Sequence, residues 1–176
     1  MRLAYADPPY IGCADKAIGT IGAYGGPTDP FDGEVGEVDH AELLDRLAEF
    51  DGWILHSHVP GLRVIAPLLP DDARICAWVK TFAAFKRNVP VAYAWEPVIV
   101  VPARKPEVTG RMVMRDWIAE PITMRRGLAG AKPEAVCRWA FELVGAHPDD
   151  DFTDLFPGTG AVTRAWEAWR SQLSLL

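Results

Sequence analysis

Four consecutive residues near the start of the chain carry groups that could hold a flat ring bearing an amine. Asp7, Pro8, Pro9 and Tyr10 follow an apolar run, Leu3 to Ala6. The prolines cannot continue a sheet ladder, so the chain must leave the strand here and expose its carbonyl groups. The Asp7 carboxylate can accept a hydrogen bond from an amine, and the Tyr10 ring offers a stacking surface for a base. A plain strand-to-loop stop is the alternative explanation, because proline-rich turns are common.

A glycine-containing turn near the other end of the chain could bind a small molecule. We predict a short strand over Phe152 to Phe156, a tight turn at Gly158 and Gly160, and a helix that opens at Ala161 and continues to Trp169. Glycines let the backbone approach a ligand closely, and helix N-terminal N–H groups favour anionic or polar groups. An ordinary strand-to-helix turn would have the same pattern, so this motif is weak when taken alone.

The order of these two elements resembles that of the permuted, beta-type DNA amino-methyltransferases, which methylate adenine N6 or cytosine N4 with S-adenosylmethionine. The Asp-Pro-Pro-Tyr tetrapeptide resembles their catalytic signature. Residues 154–160 resemble their Phe-x-Gly-x-Gly loop, which holds the methionine part of the cofactor. The tetrapeptide comes before the glycines here. That order argues against the glutamine-modifying enzymes with a related Asn-Pro-Pro-Tyr signature, in which the glycines come first.

A third element, Gly130-Ala131-Lys132-Pro133, opens a predicted helix over Glu134 to Val144. The family places a Lys-Pro pair at this point, where it helps to hold the methionine carboxylate. Proline at a first helical position also has a simple capping explanation. The resemblance implies S-adenosylmethionine as cofactor, Asp7, Pro8, Pro9 and Tyr10 as catalytic residues, and as cofactor-binding residues Lys132, Asp154, Phe156, Gly158, Thr159 and Gly160.

The identity of the first signature residue bears on the substrate that the resemblance implies. Asp7 favours adenine N6 over cytosine N4, because the cytosine enzymes more often carry serine there. Methylation of adenine in RNA stays open, as does a non-catalytic subunit that keeps the fold. Small methyltransferases of this type are common in bacteriophage and mobile elements, so the resemblance suggests a DNA mark with a protective or regulatory role.

Composition is that of one compact domain. The chain has 176 residues, 49% of them hydrophobic, and a net charge of −6. We expect a cytoplasmic protein, because there is no signal-like segment at the N-terminus and no apolar run approaches the ~20 residues of a membrane helix. Three scattered cysteines predict reduced thiols and lack metal-type spacing. His56 and His58 lie on one strand face, but no further ligand is spaced to complete a metal site.

Alternating patterns predict an α/β fold with a mostly parallel sheet and helices on both faces. The resemblance makes it a Rossmann-like methyltransferase fold, permuted and shortened at its C-terminal end. The predicted strands are Leu3 to Ala6, Trp53 to His56, Arg74 to Val79, Ala94 to Val101 and Phe152 to Phe156. The predicted helices are His40 to Phe50, Gly61 to Leu69, Glu134 to Val144 and Ala161 to Trp169.

The glycine strand should form an edge of the sheet, because no strand follows the last helix. Proteins seldom leave such an edge uncovered. A nucleotide-binding sheet also usually supplies an acid about 20 residues past its glycine turn, which here would fall beyond Leu176. We therefore expect either a homodimer that covers the edge or a weak, partly open cofactor site with Glu167 as a substitute acid.

Two segments could contact a nucleic acid. Residues 80–132 contain ten basic and four acidic residues, a net charge of +6 in a chain of −6. A basic surface on an acidic protein indicates a polyanionic partner, although a merely solvated face is the alternative. The predicted partner is DNA, with RNA left open, and the predicted contacts are Lys80, Lys86, Arg87, Arg125 and Arg126. The glycine-rich loop 11–38 is either a lid over the strand ends or a surface loop.

Overall fold

The protein is described here by a computed structural model of residues 1–11, 38–82, 90–104, 113–123 and 131–173. Six strands form one sheet, in the order β5-β3-β4-β2-β1-β6. The strands are β1 (Arg2–Ala6), β2 (Gly52–His56), β3 (Arg74–Val79), β4 (Trp95–Val101), β5 (Trp117–Ala119) and β6 (Asp151–Asp154). The helices are α1 (His40–Leu47), α2 (Leu62–Ile65), α3 (Glu134–Val144) and α4 (Ala161–Leu173), and short 3-10 turns flank α2.

The strand directions are mixed. β1 is parallel to both β2 and β6, and β3 is parallel to β5. β4 lies between β2 and β3 and is antiparallel to both. The sheet is therefore parallel around β1, as predicted. The antiparallel direction of β4 was not predicted. β4 follows β3 in sequence and returns along it, and an antiparallel pair of this kind needs no crossover helix.

Each face of the sheet has its own helical layer. Successive strand residues point to opposite faces, so Leu3 and Tyr5 pack with α3 and α4, whereas Ala4 and Ala6 pack with α1 and the region around α2. β2 is buried along its whole length, as expected for a strand covered on both faces. No helix in the described part of the chain is long and apolar enough to cross a membrane.

β6 forms one edge of the described sheet, as the sequence predicts. Helix α4 covers one face of this strand: the Trp166 ring stacks on Phe152 with centroids 4.4 Å apart, and Trp169 is also buried. Glu167 is exposed and lies 3.6 Å from Arg170. The homodimer that would cover the edge stays a prediction.

One buried carboxylate fixes the N-terminal ends of the two strands at this edge. Asp150, just before β6, accepts hydrogen bonds from the Met1 amine at 2.9 Å, from Arg104, and from the His147 backbone N–H. Although burial opposes the shift, the hydrogen bonds from Arg104, Met1 and His147 lower the pKa of Asp150 to about 2. Asp150 thereby connects the start of β1, the start of β6 and the end of β4.

Replacing Asp150 by asparagine should remove stability in a pH-dependent way. The folded pKa of about 2 lies below the ordinary value of 3.8, so the charged carboxylate stabilises the fold above pH ~4, and this contribution is lost as the pH falls through ~2. The shift corresponds to roughly 2 kcal/mol at neutral pH. Urea unfolding of wild type and Asp150→Asn along a pH series should show a difference that closes in acid.

Asp149→Asn is the matched control for this experiment, because the neighbouring Asp149 side chain is 92% exposed. It should leave the unfolding free energy nearly unchanged at every pH. A loss in Asp150→Asn that is independent of pH would mean that the charge of Asp150 does not stabilise the strand ends.

Candidate functional site

The pairing of β1 with β6 brings the two predicted motifs together. Tyr5 lies opposite Asp154 in the parallel register, and the Leu155 N–H donates to the Tyr5 carbonyl at 2.9 Å. Because parallel strands end at the same side of a sheet, the tetrapeptide after β1 and the glycine turn after β6 leave the sheet next to each other. The carboxyl ends of parallel strands are where open α/β sheets bind ligands.

The turn after β6 requires glycine at two positions. Gly158 and Gly160 have φ angles of +41° and +70°, a region that residues with a Cβ rarely adopt. The Gly160 N–H donates to the Pro157 carbonyl, and the Gly160 carbonyl accepts from Arg164 in the first turn of α4. The turn therefore delivers the chain directly into the helix.

Asp154 holds this turn from the end of β6. Its carboxylate accepts from the Phe156 N–H at 3.3 Å and from the Thr163 hydroxyl of α4 at 3.0 Å. Burial raises the pKa of Asp154 despite these two hydrogen bonds, and the nearby Asp7 carboxylate adds to the rise. Strand, turn and helix are thus tied together by one partly buried side chain. Thr159 belongs to the same turn, and its carbonyl accepts from Arg164.

Asp7 is paired with a buried lysine from a distant part of the chain. The Lys132 Nζ lies 2.7 Å from each Asp7 carboxylate oxygen. The Lys132 side chain is only 6% exposed and the Asp7 side chain is 21% exposed, so the aspartate is the member that solvent can reach. Pro8 is buried and Pro9 is half-buried beside them.

The aromatic residue of the tetrapeptide is held by a second ring. Tyr10 stacks on His58, which follows β2, with centroids 5.1 Å apart and planes at 2°. The Lys132 Nζ lies 5.9 Å from the centre of the Tyr10 ring. The tetrapeptide, the residues after β2 and the residue that precedes α3 by two positions therefore meet at one place.

The structure adds two residues to this site in roles that the sequence did not predict. Glu96 of β4 is buried, accepts from the Lys80 Nζ at 2.5 Å, and has its second oxygen 3.9 Å from the Lys132 Nζ. The sequence predicts Lys80 as a nucleic-acid contact and assigns Glu96 no part in the site. In the structure both belong to one chain of alternating charges, Asp7–Lys132–Glu96–Lys80.

This arrangement shifts the pKa values of both members of the central pair. Burial raises the pKa of Asp7 and outweighs the opposing attraction of Lys132. Burial alone would lower the pKa of Lys132, but the carboxylates of Asp7 and Glu96 overcome it and raise that pKa. Lys132 is therefore a permanent cation between two acids, which is the usual condition for burying a charge.

The two histidines near the site point to different partners. The buried His56 lies 2.6 Å from the Tyr5 hydroxyl through its Nε2, whereas His58 stacks on Tyr10. Burial, together with the charges of Lys132 and Lys80, lowers the pKa of His56 well below its usual value, so His56 is neutral at physiological pH. Among the described residues, no group of three or more histidine, cysteine or acidic side chains is arranged to hold a metal ion.

Most of the predicted nucleic-acid contacts lie outside the described residues. This holds for Lys86, Arg87, Arg125 and Arg126, and for loop positions 12–37. Lys80 is described, and its ammonium is engaged by Glu96 rather than displayed on an open basic surface.

The six-stranded sheet with a helical layer on each face agrees with the Rossmann-like fold that the sequence predicts. One similar solved structure is a crystal structure of a complex of M1.HpyAVI with SAM. It is 17% identical in sequence, with a TM-score of 0.54, and the match covers 96% of this chain and 90% of that one. No family model matches the chain, and no curated protein matches it. The likeness to M1.HpyAVI is therefore one of fold.

Removing the central cation should destabilise the protein. Lys132→Met would leave two carboxylates, Asp7 and Glu96, with Lys80 as the one remaining cation of the four-residue cluster. Breaking a buried ion pair typically costs about 3 kcal/mol. The loss should shrink in acid, where Asp7 becomes protonated and needs no cation. Urea unfolding measures both effects. The double variant Asp7→Asn/Lys132→Met should lose less than the sum of the two single losses; simple additivity would contradict the pairing.

Proposed function

We propose that this chain is an S-adenosylmethionine-dependent methyltransferase that acts on the exocyclic N6 amine of adenine in DNA. The observation that carries the proposal is the meeting of the Asp7–Tyr10 tetrapeptide and the Gly158–Gly160 turn at the ends of two paired strands. The fold match to a structure that contains SAM supports the same cofactor here.

The turn after β6 has the properties that the methionine part of this cofactor requires. Among the described residues other than its two chain neighbours, a Cβ added at Gly158 would come within 4 Å of one atom, the Phe156 carbonyl oxygen at 3.8 Å. The backbone of the turn is therefore approachable. The first turn of α4 follows at once, and its N–H groups favour a carboxylate. We assign cofactor contacts to Lys132, Asp154, Phe156, Gly158, Thr159 and Gly160. When bound, S-adenosylmethionine supplies a methyl group already activated on a sulfonium.

Asp7 and Pro8 would hold the amine that receives the methyl group. The lone pair of an exocyclic amine is delocalised into the ring, so the nitrogen is a poor nucleophile. Hydrogen bonds from the amine to the Asp7 carboxylate and the Pro8 carbonyl would favour a more tetrahedral nitrogen, and they count if they strengthen in the transition state. Pro9 keeps the chain out of the sheet, and Tyr10 stacks on a base extruded from the duplex.

The methylated product shows which base is modified, adenine or cytosine, and which nucleic acid, DNA or RNA. Incubation with S-adenosylmethionine and either DNA or RNA, followed by digestion and mass analysis of the nucleosides, should give N6-methyladenosine in its deoxy form. N4-methylcytosine would instead assign the chain to the cytosine class, and a ribonucleoside product would assign it to RNA. A chain that binds the cofactor but modifies neither would be a non-catalytic subunit, the function of a different class.

Asp7→Ala should abolish methyl transfer while the protein still binds S-adenosylmethionine. The reason is that Asp7 contacts the amine and the glycine turn contacts the cofactor. Methylation should fall by more than tenfold, a barrier increase above ~1.4 kcal/mol. Asp45→Ala, an exposed aspartate on α1, is the control and should keep full activity. Retention of a tenth or more of the activity by Asp7→Ala would remove Asp7 from the mechanism.

Gly160→Ala should weaken S-adenosylmethionine binding. A side chain at a φ of +70° strains the turn where we expect it to meet the methionine part. The new Cβ would also lie 2.9 Å from the Arg164 guanidinium, which must move aside. Gly145→Ala is a matched control. Gly145 has a similar φ of +73° but lies at the C-terminal end of α3, outside the proposed cofactor site. Both variants should lose about 1–2 kcal/mol of stability, the cost of a left-handed backbone conformation for a residue with a Cβ. Calorimetry should show weaker cofactor binding for Gly160→Ala alone.

A further inference from the structure

We propose that Glu96 and Lys80 are positioning residues that control how tightly Lys132 binds Asp7, and thereby keep the Asp7 carboxylate available to the substrate amine. This inference rests on the proposed function for its catalytic consequence. Its physical core, an electrostatic balance among four side chains, does not depend on that function.

The geometry places Glu96 where it competes with Asp7 for one ammonium. The Lys132 Nζ lies 2.7 Å from the Asp7 oxygens and 3.9 Å from Glu96 Oε2. That second oxygen is buried and accepts no hydrogen bond from the described residues. Glu96 therefore attracts the Lys132 ammonium without a hydrogen bond to it. A small movement of the ammonium would transfer its hydrogen bond from the Asp7 carboxylate to that of Glu96.

Lys80 sets the strength of this competition. Its Nζ lies 2.5 Å from Glu96 Oε1, with both side chains largely buried. The same ammonium lies 5.3 Å from the centre of the Trp78 ring, and the Lys132 Nζ lies 5.9 Å from that ring. The Trp78 ring thus lies beside both ammonium groups, and the two oxygens of Glu96 face one lysine each. A Glu96 that is partly neutralised by Lys80 takes less of Lys132 away from Asp7.

The balance matters because Asp7 has two tasks for the same two oxygens. It must keep its negative charge in a buried place, which Lys132 assists. It must also accept a hydrogen bond from an incoming amine, which Lys132 weakens by drawing on the charge of the same two oxygens. An ammonium held wholly by Asp7 would serve the first task and hinder the second. An ammonium shared with Glu96 serves both.

Other ionisable groups near Asp7 contribute little to this balance. Burial raises the pKa of Tyr5 well above its ordinary value and that of Cys137 to about 12, so both are uncharged. His56 is neutral for the reason given above. Asp154, at the end of β6, has its pKa raised first by burial and further by the charge of Asp7. His58 faces Tyr10 through its ring.

The sign of each effect on Asp7 follows from the charges. Glu96 raises the pKa of Asp7 and Lys80 lowers it, in both cases through direct electrostatic interaction. The indirect effects act in the same directions. Without its charge, Glu96 would release Lys132 to Asp7, and the Asp7 pKa would fall. Without Lys80, Glu96 would attract Lys132 more strongly, and the Asp7 pKa would rise.

The test is a carbon-13 NMR titration of the Asp7 carboxyl in the full chain without cofactor. Glu96→Gln should lower the pKa of Asp7, and Lys80→Gln should raise it, relative to wild type. Asp45→Asn, a charge change at an exposed position of α1, should leave it unmoved. The Asp7 signal is assigned by its absence in Asp7→Asn. A merely structural role for Glu96 and Lys80 would reduce stability in both variants without moving the Asp7 pKa in opposite directions.

Kinetics then test the catalytic consequence separately. The acid limb of the rate profile should move down in pH for Glu96→Gln and up for Lys80→Gln. The maximal rate of Glu96→Gln should fall by up to about a hundredfold, the scale expected when a reacting group is misplaced by about 1 Å. Opposite NMR shifts in a chain that methylates nothing would support the balance and refute the proposed function. Equal or absent shifts in an active enzyme would refute the balance alone.

Discussion

The parallel pairing of β1 with β6 is the constraint on which the site depends. It joins the beginning and the end of the described chain: Arg2 lies opposite Asp151 and Tyr5 lies opposite Asp154. Asp150 closes one end of this pair through Met1 and Arg104. At the other end, the tetrapeptide and the glycine turn leave side by side. Without this pairing, neither motif would have the other as a neighbour, and each would be an ordinary turn.

Most strands and helices of the fold could be predicted from the sequence, but not the direction and pairing of every strand. Short apolar runs identified the strands from β1 to β4, and the glycine turn located β6, because both signals are local. The direction of β4 is not local: it depends on which strands it pairs with, and a buried apolar run has the same pattern in either direction. β5 has three residues, too few for alternation to be distinguished from a loop.

Of the site residues, likewise, some could be predicted from the sequence and others could not. Asp7 and the two glycines could be recognised because their chemistry is carried by neighbours in sequence. The partners of Asp7 could not, since Lys132 and Glu96 reach it from other strands and loops. One signal was present, however: Glu96 lies within the apolar strand Trp95–Val101. A carboxylate in such a strand must find a cation once buried, and a basic residue near the end of a neighbouring strand, such as Lys80, was a candidate.

Four buried or half-buried charges at one end of a sheet are not an efficient way to stabilise a fold. Replacing a buried ion pair by well-packed apolar side chains is often neutral or stabilising, because desolvation offsets the attraction. Asp154 adds a further carboxylate near Asp7, and its proximity is unfavourable to both charges. Stability alone therefore gives no reason for Asp7, Lys132, Glu96 and Lys80 to be charged. A carboxylate that must stay ionised, ordered and open to an amine does give one, and the lysine shared between two acids satisfies all three requirements.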